Sequence, residues 1–228
     1  MSLKTTLNYS INFNPIKRNY KQIKFIVFHY TGMKRETAAI KKLRDKKSEV
    51  SAHFFIKNNG EIITLVPVSY IAWHAGISFW KNFKSLNKYS IGIEISNPGH
   101  DLKYKIFSKK QIKSILKLSK FLIKTYKISP KNILGHSDIS PSRKKDPGEK
   151  FPWFHLSKNG IGLWHSITKK KLIKNRMKKI DSKDENIFYK NLFKIGYSNK
   201  NIKNLAKDKL SNLLIIAFQR RFRQELVN

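Results

Sequence analysis

The run Ile23, Phe25, Ile26, Val27 and Phe28 constrains this chain more than any other stretch. A strand with one wet face alternates apolar and polar residues, whereas a nearly continuous apolar run of this length belongs to a strand buried on both faces. His29 stands at the C-terminal end of that run. Tyr30, Thr31 and Gly32 then turn the chain into a helix expected over residues 35–46, with Ala38, Ala39 and Leu43 as its apolar face. A histidine held at the end of a buried strand has a rigid backbone to aim it.

The following residues supply further elements. Residues 51–57 and 62–66 flank Asn58-Asn59-Gly60, a hairpin signal. His53 lies on the first of these strands and either lines a groove or supports a neighbour. Residues 71–76 place Trp73 beside His74, followed by Phe79, Trp80 and Phe83 among Gly76, Ser78, Lys81 and Asn82. That mixture reads as a surface loop whose aromatic faces meet sugars or peptides. Residues 90–96 alternate strictly, so Ile91, Ile93 and Ile95 seek the core and Glu94 projects from the opposite face beside Gly92. A carboxylate there implies something positive or reactive above it.

Residues 108–126 form a helix opened by a Ser108 and Gln111 capping box, with Ile112, Ile115, Leu116, Leu122 and Ile123 on one side. It ends before Pro130. A brief strand at Ile133 and Leu134 then leads into a polar loop carrying His136, Asp146 and a cluster of basic residues. Imidazole and carboxylate suit a borderline divalent metal such as zinc. Two ligands do not make a site, and His29 is the best candidate for the third. The chain has no cysteine, so any metal must be held by histidine and carboxylate.

With 228 residues and 40% hydrophobic content, the chain holds one sizeable domain plus a small one. Residues 1–22 read as an extended lead-in with an edge strand over 9–13, and residues 151–164 as a short aromatic helix or turn closing the domain. Residues 166–183 are basic and apolar-poor, a linker or solvated helix. Helical patterns follow over 185–195, 202–206 and 210–222, the last with Leu213, Leu214, Ala217, Phe218 and Phe222 on one face. The net charge of +34 favours polyanions and salt-sensitive association, although its even spread also fits a lysine-rich composition without a dedicated partner.

The motifs FHYTG, SAHFFI, WHAG, SIGIEI and GHSDISPSRKKDPG, in that order between about residues 23 and 164, resemble the zinc-dependent N-acetylmuramoyl-L-alanine amidases of the AmiD and AmpD type. These are related to the peptidoglycan recognition proteins. The resemblance implies an α/β fold, a mixed central sheet flanked by helices, in a catalytic domain over residues 1–165. A small all-helical module over 184–228 follows; NLFKIGY and AFQRRFR resemble a peptidoglycan-binding module. The resemblance makes His29, His136 and Asp146 ligands of Zn2+, Glu94 the catalytic carboxylate and Lys144 the cation near the reacting carbonyl. His53, Trp73 and His74 stand as substrate contacts.

The implied reaction is hydrolysis of the amide between the lactyl group of N-acetylmuramic acid and L-alanine, with peptidoglycan or muropeptide as substrate. Non-catalytic peptidoglycan recognition, nucleic-acid binding and peptidase activity are the competing readings. No DNA- or RNA-reading motif accompanies the charge, so no specific nucleic-acid partner is expected. No signal peptide, lipobox cysteine or membrane span is evident, which sets the expectation of a cytoplasmic monomer, with the periplasm as the alternative.

Overall fold

A computed structural model describes residues 3–227 except 177, 180 and 199–206. In chain order its strands and α-helices are β1 (Thr6–Leu7), β2 (Phe13–Asn14), β3 (Phe25–Tyr30), α1 (Glu36–Arg44), β4 (Phe54–Ile56), β5 (Ile62–Thr64), β6 (Ile71–Ala72), β7 (Phe79–Trp80), β8 (Phe83–Lys84), β9 (Ser90–Ile95), α2 (Lys109–Tyr126), β10 (Ile133–Gly135), α3 (His136–Ile139), α4 (Trp153–Lys158), α5 (Lys169–Arg176), α6 (Ser182–Ile195) and α7 (Lys207–Phe222). Six strands make a mixed sheet in the order β1-β5-β4-β9-β3-β10. The pair β4–β5 is antiparallel and the other neighbours are parallel.

The two sheet faces are covered differently. On one, Ile26, Phe28, Phe54, Ile56, Ile91, Ile93 and Ile95 meet Ile115, Leu118 and Leu122 of α2. This helix begins at Ser108, whose side chain accepts from the Gln111 backbone while Gln111 caps Ser108 in return. On the other face, Ala39 and Leu43 of α1 cover Phe55 and Ile63. At the far side Phe25, Val27, Leu134 and Ile139 pack with Leu192 of α6, Tyr197, and Leu214 and Ala217 of α7. His29 and Glu94, on the strands between these two patches, share the face that the two clusters leave open.

Several local expectations are corrected. Of the edge strand expected over 9–13 only Phe13 is in a strand, β2, which pairs with β6; over 9–12 Ser10 Oγ donates to the Leu43 carbonyl, and the Asn12 amide to those of Asp45 and Val50. The aromatic segment near Trp80 is not a surface loop. It is the β7–β8 hairpin, with Trp80 2% exposed and its ring 5.0 Å from that of Tyr197. The basic stretch contains α5, which has no buried residue. The helical pattern at 202–206 lies outside the described residues.

Candidate metal centre and active-site cleft

Parallel pairing of β3 with β9 puts His29 opposite Glu94. The chain reaches the same point again when β10 pairs with β3 and runs straight into α3, whose first residue is His136. The loop beyond α3 folds back so that the Ser137 N–H donates to the Asp146 carbonyl over 2.8 Å. His29 Nδ1, His136 Nδ1 and Asp146 Oδ2 therefore converge, separated by 2.9, 3.0 and 3.0 Å. All three residues are buried.

The bonds behind the cluster decide which ring atoms face it. Ser90 Oγ donates to the Leu86 carbonyl, so it accepts the Nε2–H of His74 at 3.1 Å. His74 Nδ1 must then accept from His29 Nε2–H at 3.0 Å, leaving a lone pair on His29 Nδ1. His136 Nε2–H donates to the Ala75 carbonyl at 3.1 Å, which leaves its Nδ1 free in the same way. Two imidazole lone pairs and a carboxylate oxygen thus face one another, a donor set that fits a divalent metal ion.

Electrostatics reinforce the arrangement. Burial, followed by neighbouring His136, lowers the pKa of His29 to about 4, so the ring stays neutral. Burial and then His29 push His74 down as well. Asp146 is opposed by its burial, yet His136 and His29 hold it far below the usual carboxylate range. Glu94 moves the other way, raised by burial and then by the charge of Asp146. Its Oε2 has no hydrogen-bond partner among the described residues, an orphaned acceptor at the floor of the cleft.

The cleft above the cluster encloses about 340 Å³ and is lined by Tyr30, Lys42, Trp73, Glu94, Arg143 and Lys144 among others. The structure thus brings together the five residues expected to bind metal or carry the reaction. Trp73, 36% exposed, sits at the rim. His74 lines the cleft but is 8% exposed and lies directly behind His29. His53 is a correction: it is fully buried, its Nδ1 accepts from the Gly92 N–H and Arg18 lies 2.9 Å from its Nε2, so no substrate in the cleft touches it. Ser90 and Ala75 escaped the sequence reading, since a serine and a backbone carbonyl carry no chemical signature until the fold places them.

The sequence profile described as N-acetylmuramoyl-L-alanine amidase matches residues 19–149, more than half of the chain and every residue of the cluster. The chain belongs to the N-acetylmuramoyl-L-alanine amidase family. It is 41% identical over 157 residues to the amidase AmiD of Escherichia coli, across 64% of this chain and 56% of that protein. It is 40% identical over 104 residues to the 1,6-anhydro-N-acetylmuramyl-L-alanine amidase AmpD of the same organism, across 46% of this chain and 55% of that one. The chain thus spans little more than half the length of these relatives.

Among solved structures of the family, E. coli AmiD in complex with anhydro-N-acetylmuramic acid-L-Ala-D-gamma-Glu-L-Lys superposes with a TM-score of 0.77 at 32% identity. That match covers 94% of this chain and 85% of the other. AmpDh3 of Pseudomonas aeruginosa, in complex with anhydromuramic pentapeptide, gives 0.76 at 31% identity, covering 98% and 88%. These matches extend well beyond the family profile and take in the C-terminal helices.

Proposed function

We propose that the chain is a zinc-dependent amidase that hydrolyses the bond between the lactyl group of N-acetylmuramic acid and L-alanine of a peptidoglycan stem peptide. The convergence of His29 Nδ1, His136 Nδ1 and Asp146 Oδ2 beside an unpartnered Glu94 carries this reading. Similarity to the two amidases solved with muramyl peptides supplies the substrate class. His29, His136 and Asp146 would hold zinc, which when bound supplies Lewis acidity and an activated water near neutral pH.

The chain's own residues account for the remaining steps. Glu94 has a raised pKa and a free Oε2, so it accepts the proton of the attacking water and returns it to the departing L-alanine nitrogen. The Lys144 ammonium stabilises negative charge developing on the carbonyl oxygen, an effect of about 2.7–4 kcal/mol for a well-aimed donor. Trp73 offers a flat face at the rim, while Lys42, Arg143 and Lys145 make the cleft attractive to the carboxylates of a stem peptide. We place the reaction in cell-wall turnover or recycling.

The test is incubation with defined muropeptides, with zinc and after chelation, and mass identification of the products. Release of free stem peptide and lactyl-sugar only with zinc is the expected result. Zinc-dependent binding without cleavage would replace the amidase with a recognition protein.

A further inference from the structure

The turn that carries His136 is gripped from the C-terminal segment. α3 is a single turn, and its Asp138 is 1% exposed. Asp138 Oδ2 accepts from the Gly135 N–H at 2.8 Å and from Arg221 Nη1 at 2.8 Å, while Oδ1 accepts from Tyr197 Oη at 2.6 Å. Arg221 is 4% exposed, donates through Nη2 to the Ile133 carbonyl at 2.9 Å and lies 4.3 Å from the centre of the Trp153 ring. One guanidinium thus bonds to β10 and to α3, on either side of the point where the chain delivers His136.

We infer that Arg221 and Tyr197 are positioning residues for the metal centre, acting through Asp138 to fix the turn that carries His136. The inference rests on the zinc reading of that centre. Docking of the tail alone does not call for this grip. Leu192, Leu214 and Ala217 already seal the segment against Phe25, Val27 and Leu134, and a buried ion pair adds little net stability compared with apolar contacts of the same volume. What the pair adds is direction. A four-residue turn has no ladder of its own to resist rotation, and His136 Nδ1 has to face His29 Nδ1 across 2.9 Å. The C-terminal segment is on this account part of the metal centre's frame, whatever else it binds.

The experiment is zinc titration of the 228-residue chain against a competing chelator, with thermal unfolding recorded for each protein. Tyr197→Phe and Arg221→Met are expected to weaken zinc binding about tenfold or more, as loss of outer support for a ligand typically does. The double variant loses less than the product of the two, because both act through one carboxylate. Leu214→Ala, which loosens only the apolar docking, lowers the melting temperature and leaves zinc affinity within about twofold of wild type at temperatures where it is folded.

Tyr197→Phe removes a single hydroxyl and keeps the test valid if Arg221→Met does not fold. Wild-type zinc affinity in folded Tyr197→Phe overturns the inference. So does an equal loss of affinity in Leu214→Ala, which would make the effect one of general docking. Failure of the wild-type protein to bind zinc overturns instead the metal reading on which the inference stands.

Discussion

His29 and His136 present the same atom to the same carboxylate, yet the regions that hold them are built differently. His29 is the fifth residue of a six-residue strand paired on both sides, by β9 and β10, and behind it His74 and Ser90 form a chain of hydrogen bonds running back to the Leu86 carbonyl. His136 opens a four-residue turn; its ring is held by one carbonyl, and the Asp138 carboxylate of the turn is held by side chains from a distant segment. A strand aims its side chain through its own ladder, whereas a loop has to borrow rigidity. The centre therefore depends on the sheet for one ligand and on the Arg221 and Tyr197 bonds to Asp138 for the other.

Removing a donor breaks both halves at once. His29→Ala or Asp146→Ala is expected to lose zinc entirely, read as metal per protein by elemental analysis, with activity at background. Glu94→Gln sharpens the contrast: it should keep one zinc and lose about 10²- to 10⁴-fold in turnover. Full activity in Glu94→Gln would remove it from the proton-transfer role.

The strand half can be disturbed alone. A Cβ on Gly92 would lie 2.3 Å from His74 Cγ, so Gly92→Ala drives the imidazole out of its place behind His29. Overpacking of this kind typically destabilises by about 1–3 kcal/mol, measurable by denaturant unfolding, and it should weaken zinc binding as well. Ser90→Ala is milder, since it leaves the rings in place and removes only the hydroxyl that orients His74. A smaller loss of zinc affinity, with little change in stability, is expected.

The pH dependence of the metal-free protein gives a gentler probe. His29 has a folded-state pKa lowered to about 4 from the ordinary 6.5, and His53 and His74 are lowered in the same direction. Between these values the unfolded chain binds protons that the folded chain does not. The contribution of His29 to stability is therefore fully present above about pH 6.5 and is lost as pH falls toward 4, and those of His53 and His74 are lost in the same direction. Denaturant midpoints that fall steadily between pH 7 and pH 5, and fall less in His74→Phe, would agree. A flat profile would show that these rings are solvated.

The same contrast explains what was legible beforehand. The apolar run before His29, the alternation that isolates Glu94, the Asn-Gly hairpin and the Ser108 capping box are local patterns, and each appears close to its expected place. The donors were legible because two histidines follow apolar runs, a carboxylate stands in the polar loop after the second, and the motifs around them resemble those of a zinc amidase family. Their supports were not. Trp80 read as a surface aromatic because its local neighbours are polar, whereas it packs in a core cluster shared with Tyr197 of the C-terminal segment. His53 shared the residue type of a site member but points into the packing beside Arg18. Asp138 stands in the same motif as His136 and drew no attention, because its partners lie 59 and 83 residues away.

The most direct test is anomalous diffraction at the zinc edge from zinc-soaked crystals. The account predicts one strong peak bounded by His29 Nδ1, His136 Nδ1 and Asp146 Oδ2, with both Nε2 atoms still bonded to His74 and to the Ala75 carbonyl. A peak coordinated through either Nε2, or none at this position in a protein that binds zinc in solution, would contradict it.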